Sequence, residues 1–292
     1  MKLGKYITLI HDLYSYCLYI VSPKMIPFVA APIILQAMFR TRGGYYYRSL
    51  VCFLCLSISA CYGVFASLIL PIFGKRHLIN WSVARVYKTV VSTFLGITCT
   101  IEGKEHIRKD GGQAVYVCNH QTMLDIFFMA NVFPKSTSVV AKKSIKFVPV
   151  LGWFMYLSKA IFLDRANRET AVAQARKAAE DMKKSRTSIW IYPEGTRSHS
   201  AELDLLPFKK GAFYMAVQAK APIVPIVVQN YHHLYDQKSK TFKHGDIKIK
   251  ILPPIPTDNV EESSESIQTL LNHVRSEMIK ALREISVDNK NK

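Results

Sequence analysis

With 292 residues, the chain has room for one large domain or two small ones. Its 49% hydrophobic content is high for a soluble protein and points to membrane association, while a formal net charge of +18 suits an anionic membrane surface, nucleic acid or phosphate-bearing substrates. Residues 1–101 hold ten Lys or Arg and one acid, Asp12, but interleave them with long apolar stretches instead of clustering them on a polar helix, which argues against nucleic acid.

In chain order, residues 16–39 are apolar but carry Lys24 and Pro23, Pro27 and Pro32, which predicts a kinked, re-entrant or interfacial segment. No small-residue cleavage site follows, so a cleavable signal is not expected. Residues 49–73 contain no charged side chain. As a helix they would cover about 37 Å, enough for a ~30 Å hydrocarbon layer, and they predict a transmembrane span. The alternative is a buried helical hairpin of a soluble protein. Basic residues flank the stretch on both sides (Arg40, Arg42, Arg48; Lys75, Arg76), so charge chooses no orientation. The six cysteines lie mostly in apolar segments and predict reduced thiols. Cys52-x-x-Cys55 has no second pair to complete a zinc site.

From about Trp81 the pattern alternates as in an α/β domain. Residues 114–118, 138–141, 160–163, 188–192, 223–228 and 247–251 read as short strands, several of them continuous apolar runs expected of strands buried on both faces. Residues 169–184 place Ala171, Val172, Ala175, Ala178, Ala179 and Met182 on one helical stripe. Residues 267–285 repeat such a stripe after an acidic, Ser-rich linker (257–266), with a fraying tail from Ser286. The expected organisation is membrane-associated helices over 1–80, a layered mixed α/β sheet with helices on both faces over 81–257, and a linker, helix and tail over 258–292.

Chemistry is concentrated in VYVCNHQTMLDIFF (115–128). His120 falls just past the carboxyl end of a predicted buried strand, where open α/β sheets place their ligands. Thr122 then predicts an N-cap for a helix over 123–130, with Asp125 at its third position. Two readings stay open on spacing alone. Thr-x-x-Asp is close to a capping box, in which Asp125 serves the helix backbone. Alternatively, Asp125 reaches back to one ring nitrogen of His120 and fixes its tautomer, freeing the other nitrogen to take a proton. Positions five apart on one helix point about 140° from each other, so the pair requires His120 to precede the helix.

Further stretches accompany it: AKKSIKFVPVLGW (141–153), IFLDR (161–165), YPEGTRS (192–198) and IVPIVV (223–228). Arg165 and Arg197 offer planar donor forks suited to phosphate, and Lys142, Lys143, Lys209 and Lys210 add positive charge. In Pro193-Glu194-Gly195-Thr196-Arg197 the proline ends a strand, the glycine permits an exposed turn, and Glu194 is expected to orient Arg197. His232-His233 has no ligand partner at suitable spacing, so no metal is expected.

In this order, NHQTMLD, IFLDR, EGTRS and the proline-containing strand at 221–228 resemble the four-block signature of the glycerolipid acyltransferases, in particular the fungal branch that acylates 1-acyl-glycerol 3-phosphate. The resemblance spans roughly residues 49–285; Ala160 departs from it, standing where relatives often have glycine. It implies that His120 is the general base for the sn-2 hydroxyl of lysophosphatidate and that Asp125 orients it. Acyl-CoA would be the co-substrate, with no cofactor. It further implies that Arg165, Glu194, Gly195, Thr196 and Arg197 bind the acceptor phosphate or shape its pocket. Lys143, with a backbone N–H of the Gly195 turn, is the expected oxyanion partner. A substrate-borne nucleophile agrees with the lack of a G-x-S-x-G elbow. Membrane lipids are expected partners, with residence in the endoplasmic reticulum membrane or on lipid droplets and a catalytic domain facing the cytosol. Two rivals remain: Cys118 as a nucleophile with His120 as its base, and a non-catalytic lipid binder that keeps the fold.

Overall fold

The computed structural model describes residues 43–108, 112–163 and 168–286. The predicted segment at 16–39 lies outside them, as do Arg165 and the tail beyond Ser286. Nine strands and seven α-helices are described: α1 (Tyr45–Ile69), α2 (Ile79–Leu95), β1 (Ile97–Glu102), β2 (Val115–Cys118), α3 (Asp125–Val132), β3 (Thr137–Lys142), α4 (Leu151–Leu157), β4 (Ile161–Leu163), α5 (Arg168–Ser185), β5 (Ser188–Ile191), α6 (Gly211–Ala219), β6 (Ile223–Val228), β7 (Tyr235–Asp236), β8 (Thr241–Phe242), β9 (Gly245–Ile251) and α7 (Ser264–Ser286).

Seven strands form one sheet in the order β1-β9-β6-β2-β5-β3-β4, parallel at every step except between β6 and β9, and β7 pairs with β8 as a separate ribbon. The expected mixed sheet is therefore present. Strands β2, β5 and β6 are buried at every position, as their continuous apolar sequences require when helices cover both faces. One face packs Val115, Val117, Ile189 and Ile223 against α5, α6 and α7, while the other packs Tyr116, Trp190, Val224 and Ile226 against α2 and α3. Pro225 is tolerated in central strand β6 because it sits where the neighbour changes: β9 pairs from Ile226 onward, whereas Ile223 pairs with Ile255.

Strand β1 is absent from the sequence reading, although Ile97, Cys99 and Ile101 alternate with polar residues. It lies at the sheet edge, parallel to β9, with Thr98 and Thr100 both donating to the Asp246 carboxylate. The helix expected over 123–130 begins at Asp125 instead. The Asp125 carboxylate accepts the backbone N–H groups of Gln121 and Thr122, which holds the preceding residues in a turn. Ser286 does not fray: it closes α7, and its hydroxyl accepts the Asn230 N–H at 3.2 Å.

The apolar stretch read over 49–73 forms α1 and a following 3-10 turn, Tyr45–Phe73, the one described helix long and apolar enough to cross a membrane. It is two-sided. Leu50, Phe53, Phe65 and Leu68 are exposed, whereas Cys52, Cys55, Ser59 and Ala66 pack inward. Arg48 ties its first turn to the domain by donating to the Leu95 carbonyl at 2.6 Å, at the carboxyl end of α2 where backbone carbonyls favour a cation. At Gly63 helix α4 comes so close that a Cβ would lie 2.5 Å from the Phe154 ring. All five described cysteines are free thiols.

Candidate active site

The carboxyl ends of three adjacent parallel strands, β6, β2 and β5, point to one place. His120 lies two residues beyond β2, Tyr192 and Glu194 follow β5, and Gln229 and Tyr231 follow β6. Adjacent parallel strands deliver their following loops to a common crevice, which is why residues so far apart in sequence meet here.

His120 Nδ1 is 2.6 Å from Asp125 Oδ2. Both readings of Asp125 hold together: the same oxygen accepts the Gln121 N–H at 2.6 Å and the Thr122 N–H at 3.0 Å, so the acid caps the turn and holds the histidine. Thr122 makes the side-chain bond expected of a cap, its hydroxyl oxygen accepting the Leu124 N–H at 3.1 Å, although the turn it caps precedes the α-helix that begins at Asp125. The Asp125 side chain is fully buried and that of His120 is 17% exposed. Nε2 of His120 has no hydrogen-bond partner among the described residues, while the imidazole stacks on the Tyr192 ring with centroids 4.2 Å apart. Tyr192 is itself anchored, its hydroxyl donating to the Asp125 carbonyl at 3.2 Å. The histidine therefore has one nitrogen engaged, its plane clamped and the other nitrogen available.

The loop is held as firmly as the side chain. Asn119 exchanges two hydrogen bonds with the Val228 backbone, and Gln121 donates to the carbonyls of Val228 and Gln229. Ser198 and His199 donate their N–H groups to the carbonyls of His120 and Gln121. Glu194 corrects an expectation: it does not orient Arg197. Its carboxylate is buried and accepts the His120 N–H at 2.6 Å and the Leu206 N–H at 3.0 Å. Burial pushes its pKa from 4.5 to about 7, opposed by those two N–H groups and by the Arg275 charge. Gly195 makes the turn after β5 with φ +72, a conformation that favours glycine.

A cavity of about 660 Å³ opens beside the histidine. Its lining combines apolar side chains, among them Leu56, Ala60, Val83, Met129 and Phe154, with His120, Lys142, Tyr192, Thr196, Arg197 and His199. Arg197 and Thr196 are exposed at its rim. Lys142 and Lys143 are both exposed, but Lys142, the last residue of β3, is among the lining residues, whereas Lys143, which opens the 3-10 turn that follows, is not. Arg165 lies outside the described residues. Cys118 is buried, its thiol pushed up by burial and by the Asp125 and Glu194 charges, which suits a packed thiol and not a nucleophile. Among the described residues there is no His/Cys/Asp/Glu group able to hold a metal. Sequence reasoning missed Tyr192 as a clamp, Tyr231 behind the acid, and the anchors Asn119 and Gln121. The available signal was their position immediately past apolar strands.

Comparison with known proteins matches residues 98–229 to the acyltransferase family model. The chain is 42% identical over 241 residues to a 1-acyl-sn-glycerol-3-phosphate acyltransferase of Saccharomyces cerevisiae, covering 82% of this chain and 78% of that one. It is 33% identical over 213 residues to the human 1-acyl-sn-glycerol-3-phosphate acyltransferase alpha, covering 73% and 74%. In fold it resembles the 1-acyl-sn-glycerophosphate (LPA) acyltransferase PlsC of Thermotoga maritima, with a TM-score of 0.65 at 24% identity over 82% of this chain and 94% of that one.

Proposed function

This chain belongs to the 1-acyl-sn-glycerol-3-phosphate acyltransferase family, and from that premise we propose that it transfers an acyl group from acyl-CoA to the sn-2 hydroxyl of lysophosphatidate, giving phosphatidate and CoA. The observation that carries the mechanism is the 2.6 Å contact between His120 Nδ1 and Asp125, with Nε2 unpartnered among the described residues and His120 lining the cavity. With Nδ1–H donated to the carboxylate, Nε2 carries the lone pair. It takes the proton of the acceptor hydroxyl as that oxygen attacks the thioester carbonyl. The tetrahedral oxyanion collapses, the carbon–sulfur bond breaks, and the CoA thiolate recovers the proton from the imidazolium. Asp125 stabilises that imidazolium throughout.

The cavity's two characters match the two parts of the substrates. Apolar lining suits an acyl chain, and Arg197 with Lys142 suits phosphate or the oxyanion. Lys142 replaces Lys143 as the lysine of choice because it reaches the cavity. Arg165 stays a phosphate ligand by resemblance, and Glu194, Gly195 and Thr196 shape the pocket through the turn they build. The exposed apolar side of α1 supports a seat in a membrane; the proposed residence is the endoplasmic reticulum membrane or a lipid droplet, with the catalytic domain in the cytosol beside acyl-CoA.

The test is turnover of labelled acyl-CoA by the full chain in detergent micelles. One phosphatidate formed per CoA thiol released, with lysophosphatidate preferred over glycerol 3-phosphate and lysophosphatidylcholine, is the expected result. Thiol release without acylated product, or binding without turnover, would overturn it.

A further inference from the structure

Behind the His120–Asp125 pair stands a group the reaction as described does not use. Tyr231 lies three residues beyond strand β6, is fully buried, and packs its ring on Phe128 with centroids 4.7 Å apart. Its hydroxyl is 2.6 Å from Asp125 Oδ1 and 2.8 Å from Thr122 Oγ1. We propose that Tyr231 is a positioning residue for acyl transfer: its hydroxyl holds the outer oxygen of Asp125, so that the inner oxygen stays aimed at His120 and the carboxylate keeps a fixed basicity. The proposal rests on the general-base reading above and adds a residue to it.

Counting protons gives the chain a direction. Thr122 Oγ1 accepts the Leu124 N–H at 3.1 Å, which leaves its own hydrogen for the Tyr231 oxygen. Tyrosine has one hydrogen, and the ionised carboxylate has none to offer, so the Tyr231 O–H donates to Asp125. The order is therefore Thr122 to Tyr231 to Asp125 to His120. Oδ2 is occupied by His120 Nδ1 and by the N–H groups of Gln121 and Thr122, while Tyr231 is the partner described for Oδ1. Without the hydroxyl, Oδ1 becomes a bare carboxylate oxygen in a buried site. The carboxylate then attracts a proton more strongly, whether on itself or on the imidazole. Both routes protonate the pair at a higher pH, and a protonated pair cannot act as a base.

Tyr231 is not among the cavity's lining residues, so it does not touch substrate. Among the described residues, the other ionisable groups around the pair are Glu194 at the His120 N–H, Tyr192 on the ring, Cys118 at the end of β2, and Lys142, Arg197 and His199 on the cavity wall. All of them persist when Tyr231 becomes Phe, so the difference between the two proteins reports the hydroxyl.

The experiment compares the full chain with Tyr231→Phe in micelles by two readouts: the pH profile of kcat/KM, and the downfield proton NMR resonance of His120 Nδ1–H, assigned by its loss in His120→Ala. Expected are a kcat about tenfold lower at neutral pH, the loss of one hydrogen bond to a charged group, with KM for both substrates unchanged. The acid limb moves up by about one pH unit and the Nδ1–H resonance shifts. Thr122→Val, which keeps Tyr231 but removes its donor, shifts both readouts in the same direction by less. A resonance shift in a chain that transfers no acyl group supports the positioning role and refutes the acyltransferase reading. An acid limb and a resonance that both overlay wild type in Tyr231→Phe overturn the proposal, whatever happens to stability. Should Tyr231→Phe not fold, overlay in Thr122→Val overturns it equally.

Discussion

Glu194→Gln is expected to make the protein more stable and less active at neutral pH. In wild type the carboxylate takes the His120 N–H with one oxygen and the Leu206 N–H with the other, but burial raises its pKa from 4.5 to about 7. That rise corresponds to roughly 3 kcal/mol against the charged form in the folded state. The sign follows from linkage: an acid whose folded value is raised contributes full stability below about pH 4.5 and loses it as pH rises through about 7. Glutamine has the shape of the protonated acid and does not titrate. Its stability should track wild type near pH 4.5 and exceed it at pH 8 by up to about 3 kcal/mol, or roughly 6–12 °C in Tm for a chain of this size. Activity should fall about tenfold at pH 8, because an amide has one oxygen for two N–H groups and the His120 loop loses a charge-assisted anchor. Thermal unfolding in micelles at several pH values checks the first part, and acyl transfer checks the second. Parallel stability-versus-pH curves for the two proteins would refute the reasoning.

Cys118→Ala should retain acyl transfer, because the thiol is buried in the core and burial raises it well above its ordinary value; loss of activity in the folded variant, measured in the same assay, would point to a thiol route. Arg197→Ala should raise KM for lysophosphatidate by roughly tenfold or more with little change in KM for a short acyl-CoA. Arg197→Lys should restore this only in part, since an ammonium cannot pair two phosphate oxygens as a guanidinium does.

Where the amino-acid pattern is unambiguous, the structure follows it. Runs such as Val115–Cys118 and Ile223–Val228 are apolar at nearly every position and form central strands, and Asn-His directly after one of them marks its open end. His120 and Asp125 were legible as a pair because the only geometry that joins residues five apart puts the histidine before the helix. Other features depend on distant partners. Strand β1 carries a period-two pattern, but its pairing with β9 spans just over half the chain. Lys142 and Lys143 are adjacent in sequence, and what separates them is where β3 ends: Lys142 closes the strand and lines the cavity, while Lys143 already belongs to the 3-10 turn beyond it. Glu194 beside Arg197 suggests an ion pair on spacing; the loop instead turns the acid inward to two backbone N–H groups. Tyr231 looks like an ordinary aromatic past a strand, and its role becomes visible only when Asp125 is found 2.6 Å from its hydroxyl.

The central claim is that His120, held by Asp125, takes the proton from the acceptor hydroxyl. Its most direct test is single-turnover transfer of a labelled acyl group from acyl-CoA to lysophosphatidate, comparing wild type with folded His120→Ala at saturating acceptor. A loss of roughly 10²-fold or more in the transfer step, with lysophosphatidate binding unchanged, is the predicted result. Equal transfer rates in the two proteins would contradict the account.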